Sequence, residues 1–167
     1  MDSEVVKAIK LAVRTKKQEL EYYRKAVGKT KNLSGRKVFS YLAEEEEGQL
    51  NALKEHLAKA AGESWLPDEK SFSKSACRLR RSRPKSVVPK EVLPDASDLD
   101  ALRQAMEIEK KTIDTYTDAA CAAGDKKAMK VFNYLIESEK EHMKELEIQY
   151  AFLKSEGFWY DNELTPS

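Results

Sequence analysis

The chain has 167 residues, 41% hydrophobic and 35% charged, and its 30 Lys and Arg nearly cancel its 29 Asp and Glu to leave a formal charge of +1. That is one ordinary domain with enough apolar residues for a core. No field of one sign is present to draw it onto nucleic acid or an anionic membrane, and no apolar run approaches the roughly 18 residues needed to cross a bilayer.

Prolines stand at 67, 84, 89, 94 and 166, so residues 1–66 and 95–165 are free of them. Proline inside a helix costs about 3 kcal/mol, and both blocks are therefore open to long helices. In the first block Val5, Ile9, Ala12, Val13, Leu20 and Tyr23 recur on one helical face. The segment KTKNLSGRK interrupts the pattern, with Ser34 as the expected N-cap of a second helix. That helix carries Val38, Phe39, Leu42, Leu50, Leu53 and Leu57 and stops near Ala61-Gly62. Residues 63–97 collect four of the prolines and the basic run from Arg78 to Lys85, and read as a crossover whose charges face solvent. Ser97 is the expected cap of a third helix bearing Leu102, Ala105, Met106, Ile113 and Tyr116. Gly124-Asp125 ends it and caps a fourth, which carries Phe132, Leu135, Ile136, Met143, Leu146 and Tyr150. Each helix spans roughly 25 residues, or about 37 Å.

Shifted by 93 positions, the sequence matches itself without a gap. Tyr23 falls on Tyr116, Lys37-Val38-Phe39 on Lys130-Val131-Phe132, Tyr41-Leu42 on Tyr134-Leu135, and Glu46 on Glu139. Two copies of a helical hairpin follow. One hairpin alone buries little, so the copies are expected to pack as an all-α, up-down four-helix bundle in one domain, 1–167.

The fourth helix holds Glu139-Lys140-Glu141-His142, with Glu139 and His142 at i and i+3 on one face. A carboxylate and an imidazole so placed can share one metal ion, and an isolated buried carboxylate is costly enough to want a cation. Glu109 lies on the apolar face of the third helix between Ala105 and Ile113. One Glu-x-x-His alone is a weak signal. Joined to an inward Glu on the preceding helix, inside a repeated hairpin, it is much stronger.

With those residues the chain resembles the rubrerythrin branch of the ferritin-like di-iron proteins, whose bundles set a Glu from each of two helices against a Glu-x-x-His from each of the other two. The resemblance spans about 4–62 and 98–160, and Gly157-Phe158-Trp159 is similar to rubrerythrin-like endings. It implies Glu109, Glu139 and His142 as metal ligands, with Glu46 as the residue of the first hairpin still in register. The first hairpin departs: Lys16 stands where the repeat demands Glu, and Gln49 where it demands His. Glu19 is a conceivable substitute ligand, and Gln49 a weaker one. Three occupancies stay open: one metal on Glu109, Glu139 and His142, two metals with Glu19 enlisted, or none. Iron is the implied metal, with manganese or zinc suited to the same donors. Lys16 is expected on the inward face, paired with Glu46 or Glu109, and restoring Glu at 16 with His at 49 would then rebuild the pattern.

Tyr23 and Tyr116 are candidate hydrogen-bond partners of the ligands. His56 reads as a boundary histidine near a helix end, and Trp65 and Trp159 as covers of the bundle ends. The resemblance implies reduction of peroxide or oxygen at iron; the alternative is a non-enzymatic assembly or metal-handling module with a vestigial site. Cys77 and Cys121 cannot supply the paired CxxC of a rubredoxin, nor a disulfide framework, so electrons would come from another protein. The N-terminus lacks the apolar core of a signal peptide, and a reducing cytoplasm fits. The expected partners are a second copy in a homodimer and that external donor, with no nucleic acid and no membrane.

Overall fold

A computed structural model describes residues 4–60 and 96–160. These form four helices: α1 (Glu4–Lys29), α2 (Leu33–Ala60), α3 (Ala96–Ala122) and α4 (Lys126–Glu156). No strand occurs among the described residues. Both blocks fold as the patterns require, and the molecule is an all-α four-helix bundle. The crossover, with the basic run, Trp65 and Cys77, lies outside the described residues.

Short turns close each hairpin. α1 ends where Thr30 donates its amide and hydroxyl to the Ala26 carbonyl, at 2.9 and 2.7 Å. α2 then starts one residue before Ser34, and Asn32 is its cap: the Asn32 side chain accepts from the Gly35 amide at 3.1 Å. Ser34 was the expected cap, but Asn32, two residues earlier, takes a free amide of the first turn instead. Ser97 likewise lies inside the first turn of α3 rather than before it. At the second turn Asp125 caps α4 as expected, accepting from the Lys127 amide at 2.6 Å. Gly157 ends α4 in the left-handed region, φ 79°, donating to the Leu153 carbonyl.

α1 packs along α2 and α3 along α4, and α1 also meets both helices of the second hairpin. The interior divides into two apolar ends. One gathers Ile9, Ala12, Leu53, Tyr116, Phe132 and Leu135. The other gathers Leu20, Tyr23, Phe39, Leu42, Leu102 and Leu146, closed by Trp159. The two ends pair under the repeat: Ala12 with Ala105, Phe39 with Phe132, Leu42 with Leu135, and Leu53 with Leu146, all buried. Trp159 covers its end as expected, its ring edge-on to Phe39 at 5.7 Å and its indole N–H toward Asp98. Between the apolar ends lies a layer of buried polar side chains contributed by all four helices: Lys16, Glu19, Glu46, Gln49, Glu109, Thr112, Glu139 and His142.

Candidate metal centre

Each member of that layer sits on its helix in the same phase as the apolar residues a turn away, which carries it inward. Ala12 and Leu20 flank Lys16 and Glu19; Leu42 and Leu53 flank Glu46 and Gln49; Ala105 and Tyr116 flank Glu109; Leu135 and Leu146 flank Glu139 and His142. Lys16, Glu46, Glu109 and Glu139 are wholly inaccessible to solvent.

Glu46, Glu109, Glu139 and His142 each offer one donor atom, and the four atoms lie within 4.8 Å of one another. His142 Nδ1 is 3.0 Å from Glu46, 3.4 Å from Glu139 and 3.9 Å from Glu109. Its other nitrogen, Nε2, is 3.0 Å from Glu45 Oε2. Tyr23 donates its hydroxyl to Glu109. Glu46 Oε1, Glu109 Oε2, Glu139 Oε2 and His142 Nδ1 are all buried without a hydrogen bond to satisfy them. Three carboxylates and one imidazole, each with an unsatisfied inward atom, form a donor set suited to one divalent first-row ion.

A cation of the chain's own stands beside the cluster. The Lys16 ammonium stands inside the layer, bonded to Glu139, 2.8 Å from Glu46 and 3.3 Å from Glu19. The expected pairing with Glu46 holds; that with Glu109 does not, because Tyr23 takes Glu109 and Lys16 reaches across to Glu139 instead. Glu19 turns to Lys16 and accepts from Thr112 at 2.5 Å, so it stays outside the four-residue cluster. Gln49 also stays outside: its amide donates to Ser138 at 2.5 Å. Tyr116 is buried with its hydroxyl unsatisfied, beside the charge of Lys16 rather than on a carboxylate. His56 is buried, not at the boundary, and takes no part in the cluster.

The charges explain how the layer survives burial. Desolvation opposes the Lys16 charge, but Glu139, Glu19 and Glu46 outweigh it and hold the ammonium well above its usual range. Burial likewise works to raise the Glu139 carboxyl, yet Lys16 and His142 bring it down to about 2. Glu109 goes the other way: burial and the neighbouring Glu139 charge hold it well above the usual carboxylate range. Burial raises Glu19 in the same direction. Desolvation opposes the His142 charge, but the nearby carboxylates of Glu139, Glu45 and Glu46 outweigh it and raise its pKa well above normal. The Lys16 ammonium, paired with Glu139, Glu46 and Glu19, thus supplies positive charge that a cation supplies in a metal-loaded carboxylate site.

Two residues here carried no signal of their own in the sequence. Glu45 and Ser138 are 93 positions apart, so each is the other's repeat mate, and they contact His142 and Gln49, themselves repeat mates. Comparing the repeats for where they differ, rather than where they agree, would have found them. On the surface side a depression lined by Tyr41, Glu45, Glu141, His142, Lys144, Glu145 and Ile148 ends on the His142–Glu45 pair.

No curated protein and no solved structure matches the chain. The family model for rubrerythrin matches residues 9–148, a span that takes in both hairpins and every member of the cluster. With that match and this buried carboxylate–imidazole cluster, the chain belongs to the rubrerythrin family.

Proposed function

We propose that this protein binds a single divalent metal ion through Glu46, Glu109, Glu139 and His142, with the Lys16 ammonium standing where a second ion would be. The observation that carries the reading is the convergence of four buried donors, each with an unsatisfied atom, beside a cation already in place. Iron is the ion the family suggests; manganese and zinc suit the same donors. Bound iron would supply electron transfer toward peroxide or dioxygen, with reducing equivalents delivered by another protein. Around it the chain's own residues have definite tasks. Tyr23 orients Glu109, Glu45 orients His142, and Lys16 holds Glu139 and Glu46 in position. Glu46, Glu109, Glu139 and His142 would hold the ion in their deprotonated forms, so its binding would release protons.

Lys16 also supports a second reading. Its contacts to three carboxylates close the layer electrostatically with no ion at all, as in a non-enzymatic assembly module with a vestigial site. Metal analysis of protein purified without chelator or added metal separates the two. About one equivalent is expected, falling well below one in His142→Ala. Unchanged stoichiometry in that variant would rule out the assigned ligands, and an empty wild type would decide for the second reading. Consumption of peroxide with a supplied reductant distinguishes a redox enzyme from a metal carrier.

A further inference from the structure

The two halves of the layer differ at four places that the repeat relates: Glu19 against Thr112, Lys16 against Glu109, Gln49 against His142, and Ser138 against Glu45. The last two are not separate changes. His142 Nε2 meets the Glu45 carboxylate at 3.0 Å, and at the repeat-related place the Gln49 amide meets the Ser138 hydroxyl at 2.5 Å. One contact thus occurs twice, once as imidazole on carboxylate and once as amide on hydroxyl. Both partners differ between the two places, and in each pair the facing atoms satisfy each other. An imidazole ligand needs its outer nitrogen held by an acceptor, preferably charged, to aim the inner one and raise its basicity. A serine hydroxyl offers no charge for that, and an amide facing it needs none.

We propose that Glu45 is the positioning residue that makes His142 a ligand, and that Ser138, together with Lys16 and Gln49, keeps the opposite half of the layer from taking an ion. Replacing Lys16 and Gln49 alone would leave the new imidazole facing Ser138 without a carboxylate. Three substitutions, not two, rebuild the second half-site.

The inference rests on the single-ion reading above for the role of His142, but its test does not depend on that reading alone. Manganous ion is titrated into wild type, K16E/Q49H and K16E/Q49H/S138E, with free ion followed by electron paramagnetic resonance and the fold by circular dichroism. The triple variant should bind one more equivalent than wild type, 10–100-fold more tightly than the double variant binds its corresponding ion. Equal affinity for that ion in double and triple variants overturns the proposal. An empty wild type overturns the single-ion reading, while the comparison of double with triple still decides this one. If the triple variant loses its helical signal, the single-site arm decides: Glu45→Ser should weaken manganese binding 10–100-fold, and Glu45→Gln, which keeps an acceptor for Nε2–H, should recover most of it. Wild-type affinity in Glu45→Ser would sink the proposal.

Discussion

Lys16 is the residue on which this molecule turns. A lysine with no solvent exposure is costly unless its charge is met, and here three carboxylates meet it. Removing one partner from a buried ionic network costs more than the network contributes, because the remaining charges stay buried and uncompensated. Lys16→Met, which keeps the length of the stem and deletes the charge, should therefore destabilise the metal-free protein by about 3–5 kcal/mol. Added manganous ion should restore part of that loss by supplying the missing cation. Urea unfolding with chelator and with metal reads both effects, and an unchanged midpoint in chelator would mean that the ammonium does not hold the layer together.

Among the helices, two glycines make opposite predictions from the same chemistry. Gly35, in the first turn of α2, lies under the Trp159 ring; a Cβ there would come within 2.5 Å of two ring carbons. The indole is itself pinned between Phe39 and Asp98 and has little room to withdraw. Gly35→Ala should cost about 1–3 kcal/mol as an overpacked contact. Gly28, near the end of α1, has nothing within 4 Å of the same added methyl. Gly28→Ala should stabilise by about 0.5–1 kcal/mol through lost freedom in the unfolded chain. Thermal unfolding of the two variants should shift in opposite directions; a common sign would show that the Trp159 contact does not govern Gly35.

For the molecule as a whole, the polar layer predicts an unusual pH dependence. Glu19 and Glu109 have folded pKa values well above the usual 4.5, so folding takes up protons and stability falls as pH rises past 4.5. His142 is raised well above 6.5, so its contribution is complete below 6.5 and is lost as pH climbs through its folded value. Glu139, lowered to about 2, acts oppositely: its contribution is present above 4.5 and is lost as pH falls from there toward 2. The metal-free protein should therefore be most stable on the acid side of neutrality, near pH 4.5, and should lose stability as pH rises from there. Saturating metal, which replaces the protons on Glu109 and His142, should move that maximum toward higher pH. Urea midpoints from pH 4 to 9 in chelator and in metal check this; a metal-free midpoint rising steadily above pH 6 would contradict it.

By itself the sequence determined the helices, the hairpin repeat and the inward phase of Lys16, Glu46, Glu109, Glu139 and His142. Those properties follow from periodicity: a residue three or four positions from buried leucines shares their face whatever the partner helix does. Proline placement and the 93-residue register likewise act along the chain and are legible from it. Which inward groups meet was decided only by the tertiary structure. Lys16 reaching Glu139 rather than Glu109, Glu19 turning to Thr112, and Glu45 lying against His142 are contacts between different helices. They depend on how far each helix slides along and rolls against its neighbours. A shift of one turn, about 5.4 Å, would exchange every partner in the layer without altering a single periodicity.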